Sequence, residues 1–280
     1  MLLVAKPAGP TSHDIVDVVR RALDTTRVGH LGTLDPFAEG LLVLVVGRAT
    51  RLAQFAHRWR KTYDATMRLG VTTTTDDRTG EREAESDAWR SLDRAAVEDV
   101  LSRFRGTVTQ RPPVHSAVNV AGERAYKRAR RGETVVMPER QVAVEQLELL
   151  EFAPPVVRFR ATVGGGTYIR SLARDMGTEL GCGAHLDALV RTAVGPFQLA
   201  QAKAPAAVSA ADLQDAALLV ADLPQRALEP GERDAAVHGR PLPAEGEPEA
   251  EHVALFAGGQ LVGVAERVGD LLKPRVVVAE

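Results

Sequence analysis

The chain has 280 residues, of which 45% are hydrophobic and 26% charged, a composition typical of a soluble globular protein that buries a full core. No apolar run reaches the ~18 residues of a transmembrane helix, and the N-terminal MLLVAK has its lysine after the apolar run, the reverse of a signal peptide. The single cysteine, Cys182, excludes an internal disulfide and a multi-cysteine metal site, and a net charge of −2 requires any nucleic acid to bind at a local basic face. The expected compartment is the cytoplasm.

In the first half of the chain, hydrophobic periodicity predicts strands and helices in alternation. Residues 63–69 alternate cleanly, with Tyr63 and Met67 on one face, which is the pattern of a half-buried strand. The run LLVLVV is short and β-branched, so it is predicted as a central strand. The predicted elements are a strand at 2–5, a helix at 12–23 capped by Thr11 or Ser12, the central strand at 41–46, a helix at 49–59, the half-buried strand at 63–69, a polar loop at 72–81 and an amphipathic helix at 87–104.

The second half begins with a strand and a helix and then changes in composition. Residues 200–250 are rich in alanine, proline and acid, and the acidic stretch 243–251 is interpreted as a solvated linker. The pattern predicts an α+β body to about residue 222, followed by a small β-rich unit. The predicted elements are a strand at 156–163, a helix at 171–180 ended by Gly181, a segment at 210–219 that could be helical, two strands within 252–268 joined by a Gly258–Gly259 hairpin turn, and a strand at 273–280.

The stretch GHLGTLDPFAEG, from Gly29 to Gly40, places a lone carboxylate, Asp35, in a glycine-rich turn ahead of the central strand. Asp followed by Pro is a common turn or helix start, with the aspartate as the cap. Glycines also let the backbone come close to a ligand, and a carboxylate held there can act as a nucleophile or a base. His30 could orient a group in this loop or serve only as a hydrogen-bonded structural residue.

Other reaction classes lack their motifs in this sequence. There is no G-x-S-x-G nucleophile elbow and no Walker A pattern, and His, Asp and Glu do not show metal-ligand spacing. The segment GGGTYIR, residues 164–170, is either a loose strand-to-helix turn or the mouth of a cleft that presents Tyr168 and Arg170. By position alone, Tyr63 is predicted to lie in the core.

A basic segment lies between Gly122 and Glu133 (GERAYKRARRGE) and has no acid among its cations. Most basic segments of this kind form the solvated face of a helix. The lack of compensating acids and the interleaved Tyr126 favour phosphate binding instead. On a helix, Arg124, Arg128 and Arg131 would share one face. The five cations are Arg124, Lys127, Arg128, Arg130 and Arg131.

Five segments, taken in order, resemble the TruB family of tRNA pseudouridine synthases, which isomerise uridine 55 in the T-loop of tRNA. They run over roughly residues 4 to 200, and their combination is specific. The segments are KPAGPTSHDIV, GHLGTLDPFAEGLLVLVVG, KTYDATMRLGVTTTTDDRTG, RPPVHSAVNVAGERAYKRARRGE and GGGTYIRSLARDMGTELGCGAHLDALVRTAVGPF. The C-terminal unit resembles a shortened PUA-type RNA-binding domain.

The resemblance implies a role for each matched residue. It makes Asp35 the catalytic aspartate, has Arg170 pair with it and position it, and has Tyr63 stack on the target base. It also implies an acidic loop residue, which is Asp77 or the adjacent Asp76. The supporting assignments are His30 beside the nucleotides displaced by base flipping, Tyr168 and Leu189 in the uridine pocket, Lys6 with Pro7 as supports of the active-site loop, and His115 at a position where the family usually has Tyr or Phe.

For the fold, the resemblance implies a catalytic domain at 1–222, whose mixed, mainly antiparallel sheet is flanked by helices, and a PUA-like domain at 223–280. A basic RNA-binding insertion would occupy about residues 111–140, which contain the basic segment. The family's fold therefore agrees with the α+β pattern that periodicity predicts for the body of the chain.

For the function, the resemblance implies a monomeric enzyme that flips uridine out of the T-arm of tRNA and needs no metal, cofactor, membrane or protein partner. The residues leave open whether Asp35 attacks C1′, removes the 2′ proton or adds to C6 of the base. Two other functions also stay open. One is a guide-RNA-dependent synthase subunit, and the other is a non-enzymatic protein that binds or folds tRNA.

Overall fold

The structure, a computed structural model, describes residues 1–116, 118–120, 122–244 and 249–279, and its description excludes the side chain of Arg130. The strands are β1 (Leu2–Lys6), β2 (Val28–His30), β3 (Glu39–Val46), β4 (Lys61–Leu69), β5 (Val71–Thr73), β6 (Arg82–Glu85), β7 (Gly106–Gln110), β8 (Asn119–Val120), β9 (Glu123–Arg124), β10 (Arg140–Ala153), β11 (Val156–Val163), β12 (Ala184–Val194), β13 (Phe197–Gln198), β14 (Gln225–Ala227), β15 (Leu242–Pro243), β16 (His252–Ala257), β17 (Gln260–Val268) and β18 (Leu271–Val277). The α-helices are α1 (Ser12–Ala22), α2 (Ala53–Ala56), α3 (Arg94–Arg103), α4 (Ala125–Arg130), α5 (Ile169–Glu179) and α6 (Pro230–Val237).

A large sheet forms the body of the chain, with strand order β1–β3–β12–β4–β11–β10–β7. Strand β2 pairs with β3, and β13 pairs with β12. The β3–β12 pair is parallel, whereas the other pairs are antiparallel. The predicted α+β class, with a mixed, mainly antiparallel sheet flanked by helices, is confirmed. No helix in the described residues is long and apolar enough to cross a membrane.

Strand β4, the predicted half-buried strand, lies in the middle of the large sheet and packs against helices through one of its faces. Its residues alternate between buried and less buried positions, as predicted, so that Tyr63 and Met67 lie in the core. Helices α3 and α5 pack there through Leu101 and Met176. Leu34, in the loop between β2 and β3, joins the same hydrophobic cluster. The glycine-rich loop of the sequence is therefore anchored against the centre of the sheet.

Several local predictions are confirmed, and the structure corrects others. Helix α1 begins after Thr11, whose side chain accepts a hydrogen bond from the backbone N–H of Asp14. The helix predicted at 87–104 instead begins at Arg94, because Asp93 caps it and the preceding residues form a short 3₁₀ turn. The helix predicted at 49–59 is a 3₁₀ segment followed by the single turn of α2, and 210–219 contains 3₁₀ turns. Strands β5 and β6 flank the polar loop predicted at 72–81, and its first two residues lie in β5.

The C-terminal strands form a second sheet, with order β14–β16–β17–β18–β15. The predicted hairpin joins β16 to β17, and Gly258 and Gly259 both have positive φ, as a two-residue turn of this kind requires. Leu261 and Val276 of this sheet share a hydrophobic cluster with Leu41 of the large sheet. The proposed boundary at residue 222 stays a prediction, and residues 245–248 of the predicted acidic linker lie outside the described residues.

Candidate active site

A cavity of about 820 Å³ opens where the β2–β3 loop, β4 and the start of α5 meet. The large sheet brings the start of α5 to the other two segments, although it lies about 100 residues or more after them in sequence. Most of the predicted site residues line this cavity, whereas Lys6 lies behind it. The predicted residues that line it are His30, Asp35, Tyr63, Asp77, His115, Tyr168, Arg170 and Leu189.

Asp35 and Arg170 form a two-pronged ion pair in this cavity. The Arg170 Nε donates to Asp35 Oδ2 at 3.0 Å, and its Nη2 donates to Oδ1 at 3.0 Å. Arg170 is 3% exposed, and its remaining N–H groups donate to the backbone oxygens of Thr75 and His115. The planar guanidinium thus fixes both oxygens of the carboxylate in one orientation.

The acidic loop places Asp77, and not Asp76, beside this pair. Asp77 Oδ2 lies 3.5 Å from Arg170 Nη1, and Asp77 Oδ1 accepts hydrogen bonds from Thr75 and Thr79. The Asp76 side chain points instead to the guanidinium of Arg174, at 2.9 Å. Of the two candidates, Asp77 is therefore the one that helps to hold Arg170.

The charges around Asp35 act on its carboxyl in opposite directions. Burial raises the pKa of Asp35 above its ordinary value, and the Asp77 carboxylate raises it further. The Arg170 guanidinium and the Lys6 ammonium lower it. The ion pair therefore favours the carboxylate form, which a nucleophile or base requires, in a site whose burial favours the protonated form.

Two buried cations, Lys6 and Arg191, donate hydrogen bonds to the backbone of the β2–β3 loop, which carries Asp35, and of the residues next to it. The Lys6 Nζ donates to the backbone oxygens of Pro7, Pro36 and Ala38. On the other side of Asp35, the Arg191 guanidinium donates to the backbone oxygens of Gly32, Thr33 and Leu41. Lys6 and Arg191 are each 1% exposed. Carbonyl groups on both sides of Asp35 are thus tied to fixed donors.

Arg191 was not predicted from the sequence. It lies in AHLDALVRTAV, where an arginine in an apolar strand has the pattern of an outward-facing residue. The backbone of Arg191 lies close to Gly40, whose φ is +112° and whose missing Cβ would lie 2.3 Å from the backbone oxygen of Arg191. Only glycine fits at this parallel contact between β3 and β12.

The aromatic and apolar walls come from three elements. Tyr63 lies on β4, Leu189 on β12, and Tyr168 immediately before α5. The amide side chain of the buried Gln110 bonds both the N–H and the C=O of Tyr168, at 2.8 and 3.0 Å. The Arg140 guanidinium lies 4.8 Å from the centre of the Tyr168 ring. Gln110 and Arg140 are contributors that the sequence did not reveal.

The two predicted site histidines, His30 and His115, contact their neighbours through different groups, one through its ring and the other through its backbone oxygen. His30 Nδ1 accepts a hydrogen bond from the backbone N–H of Gly32, and its pKa is lowered by burial and by the nearby charges of Arg191, His13 and His57. His115 contacts Arg170 through its backbone oxygen, an interaction that does not depend on the side chain. The substitution of histidine for Tyr or Phe at position 115 is therefore compatible with the Arg170 geometry.

The basic segment differs from its prediction. The expectation that it lacks compensating acids is wrong, because glutamates at its two ends fold back onto it. Glu123 pairs with Arg131, and Glu133 pairs with both Arg128 and Arg131, at 2.6 to 2.8 Å. Helix α4 covers only Ala125–Arg130, and the side chain of Arg130 lies outside the described residues. RNA binding by this segment stays a prediction.

Among the residues that the structure describes, no group of three or more His, Cys, Asp or Glu side chains could hold a metal ion. The described carboxylates of the cavity are instead engaged by arginine and hydroxyl groups. The chemistry that this arrangement can support is that of an oriented carboxylate beside an aromatic and apolar pocket large enough for a nucleotide base.

Comparisons with known proteins agree on one family. The family model for TruB family pseudouridylate synthase (N terminal domain) matches residues 20–169, and that for the tRNA pseudouridylate synthase B C-terminal domain matches residues 170–233. The chain is 42% identical to tRNA pseudouridine synthase B of Azoarcus sp. (strain BH72), over 100% of this chain and 94% of that protein. It is 44% identical to tRNA pseudouridine synthase B of Thermobifida fusca (strain YX), over 100% of this chain and 98% of that protein.

Solved structures share the fold at lower identity. A chain of a Cbf5–Nop10–Gar1 complex is 26% identical, with a TM-score of 0.75 over 99% of this chain and 84% of that chain. A chain of an H/ACA RNP bound to a substrate RNA containing 2′-deoxyuridine is 24% identical, with a TM-score of 0.75 over 100% of this chain and 84% of that chain. The second likeness bears on the fold alone.

Proposed function

Because the chain belongs to the TruB family of pseudouridylate synthases, we propose that it isomerises uridine 55 in the T-loop of tRNA to pseudouridine. The observation that carries the proposal is the Asp35–Arg170 ion pair in a cavity with tyrosine and leucine walls. The enzyme would act alone, as a cytoplasmic monomer that recognises the T-arm. Full-length similarity to proteins named tRNA pseudouridine synthase B supports this reading over a guide-RNA-dependent subunit.

The reaction first requires the uridine to leave the stack of the folded loop. Flipping costs roughly a few kcal/mol, and stacking of the base in the pocket can offset it. We assign the stacking role to Tyr63, and the lining of the uridine pocket to Tyr168 and Leu189. His30, which lines the cavity, would lie beside the nucleotides displaced by flipping. These assignments follow the family motif and agree with the positions of the side chains around the cavity.

The chemical step breaks the C1′–N1 bond and joins C1′ to C5. C5 loses its proton and N1 gains one, so the step needs no oxidant, reductant or other reactant. We assign to Asp35 the covalent or proton-abstracting role, in its carboxylate form. Arg170 fixes the orientation of that carboxylate, while Asp77 and Lys6 support Arg170 and the loop. Orientation of this kind is a main source of rate enhancement.

The test is conversion of a T-arm minihelix by the purified protein, with pseudouridine read by carbodiimide-dependent primer extension. Asp35→Asn should abolish conversion while RNA binding is retained. Asp64→Asn is the matched control, since Asp64 pairs with Arg160 outside the cavity. Residual turnover of Asp35→Asn above about a thousandth of wild type would overturn the assignment, because loss of an essential group should cost more than ~4 kcal/mol at the transition state. Conversion that requires a guide RNA would overturn the stand-alone function.

A further inference from the structure

One wall of the cavity carries a lysine, Lys61, for which the described residues provide no acidic partner. Lys61 lies on β4 two residues before Tyr63, so both side chains project from the same face of the strand. Both line the cavity, and Lys61 is 9% exposed. Within the described part of the chain, the one hydrogen bond of its ammonium group is to the backbone oxygen of Trp59, at 2.9 Å. An ammonium group has three donors, so two remain for another partner.

The surroundings of Lys61 add positive charge. A Cβ placed on Gly32 would lie 3.3 Å from Lys61 Cε and 3.5 Å from Arg191 Nη1, so the two cations border the same gap beside Gly32, which itself lines the cavity. Burial and the charge of Arg191 together lower the pKa of Lys61 to about 8. At His30, on the same wall, the neighbouring charges are those of Arg191, His13 and His57.

The acidic groups of the cavity are directed elsewhere. Asp35 and Asp77 both face Arg170, and neither is among the groups that act on Lys61. A buried cation without a counter-charge is costly to the fold. Such a group in a cleft is a candidate for completing its charge balance with a ligand. The ligand that this wall fits is an anion.

We propose that Lys61, with Arg191 behind it, forms a subsite for one backbone phosphate of the RNA, next to the flipped nucleotide. The inference rests on the proposed function, because a base that enters the cavity brings its phosphates with it. Side chains two residues apart on a strand are about 7 Å apart. That separation is comparable to the distance between a base, here at Tyr63, and a phosphate of the same nucleotide. A lysine serves such a phosphate as a point charge.

A structural role for Lys61 is the competing explanation. In that case its ammonium only satisfies the carbonyl of Trp59, and its aliphatic stem only fills the gap under Gly32. The two explanations differ in one observable, which is whether the energetic effect of Lys61 depends on the charge of a particular phosphate. Substitution of the side chain and neutralisation of the phosphate can therefore be combined in a double-mutant cycle.

The experiment measures the dissociation constants of T-arm minihelices that carry a single methylphosphonate at each loop linkage in turn. Lys61→Met removes the charge at similar length, Lys61→Arg keeps it, and Lys61→Gln replaces Lys61→Met if that variant does not fold. Lys203→Met is the matched control, because Lys203 is exposed and pairs with Asp212 away from the cavity. Thermal melting curves establish that each variant is folded.

Wild type should lose affinity about 10-fold at one linkage, the effect of one charge-assisted hydrogen bond. Lys61→Met should bind the unmodified RNA about 10-fold more weakly and be insensitive to that linkage. Lys61→Arg and Lys203→Met should keep the wild-type pattern. Two results would overturn the subsite. One is that, at every linkage, the affinity loss of Lys61→Met and the affinity loss caused by the methylphosphonate multiply as independent effects. The other is that Lys61→Met binds the unmodified RNA as tightly as wild type does.

Failure of the subsite and failure of the proposed function are separable in this experiment. Wild-type conversion of the unmodified minihelix is measured in parallel. Normal conversion together with multiplicative losses rejects the subsite alone. Absence of conversion rejects the proposed function, whatever the linkage pattern.

Discussion

Arg170→Met is the perturbation for which the structure makes the most detailed prediction. The substitution removes the guanidinium that lies between the carboxylates of Asp35 and Asp77 and keeps an apolar stem of similar reach. Burial and Asp77 both raise the pKa of Asp35, and Arg170 is the largest of the effects that lower it. Without Arg170 the pKa of Asp35 should rise further. A smaller fraction of the Asp35 carboxyl should then be ionised at any given pH, and the pH range in which the carboxylate forms should move upwards.

The geometry of the Asp35–Arg170 ion pair also gives the expected loss of unfolding free energy in Arg170→Met. Removing one partner of a buried ion pair costs ~3–5 kcal/mol, and the lower end applies because the Asp35 side chain is 32% exposed. An acid whose pKa is raised in the folded state destabilises the fold above its unfolded pKa. The loss in Arg170→Met should therefore be largest above the raised folded pKa of Asp35 and shrink as the pH falls below the unfolded pKa, where the carboxyl is protonated in both states.

Two measurements test this reasoning. Single-turnover rates at saturating tRNA, taken from mildly acidic to alkaline pH, should show an Arg170→Met profile displaced to higher pH relative to wild type. Urea denaturation at acidic and neutral pH should give the pH-dependent loss of unfolding free energy. Arg160→Met is the control, since Arg160 pairs with Asp64 outside the cavity. A profile lowered uniformly, with no displacement, would refute the electrostatic role and leave Arg170 as a packing residue.

Two further predictions concern RNA docking and metal independence. Replacement of Lys127, Arg128 and Arg131 by Gln should weaken tRNA binding and flatten its salt dependence by only ~1–2 units of slope, because Glu123 and Glu133 already neutralise part of this charge. Glu133→Gln should strengthen tRNA binding and steepen its salt dependence. Superimposable plots of dissociation constant against KCl concentration for all variants would exclude a docking role of the basic segment. EDTA should leave the turnover rate unchanged. Inactivation by EDTA that zinc reverses would contradict metal independence. Inactivation that only magnesium reverses would reflect the role of magnesium in tRNA folding.

Local patterns in the sequence were sufficient for elements whose signals are short-range. The alternation of β4, the Thr11 cap of α1 and the glycine pair of the β16–β17 hairpin are each encoded within about ten residues. Asp35 and Arg170 were both prominent in their motifs. Their pairing, across 135 residues, was expected only through the family resemblance.

The features that the sequence did not reveal depend on contacts between distant segments. Nothing local distinguishes Arg191, which donates to loop carbonyls, from an arginine that faces solvent. The glutamates that neutralise the basic segment stand at its two ends and not among its cations, and their pairing with Arg131 depends on how the segment folds. Helix α3 starts late because Asp93 caps it, although the apolar pattern before Asp93 could equally continue a helix.

The first turns of α5 show how the site and the predicted insertion at about residues 111–140 are joined. Arg170 holds Asp35 and also donates to the backbone oxygen of His115, in the predicted insertion. One and four residues later, Ser171 and Arg174 both donate to the backbone oxygen of Arg111. These bonds end on main-chain oxygens, so they tolerate any side chain at 111 and 115. Only one of the hydrogen bonds of Arg170 goes to the insertion, whereas two go to Asp35. The two hydrogen bonds that orient the carboxylate therefore do not depend on any atom of the insertion.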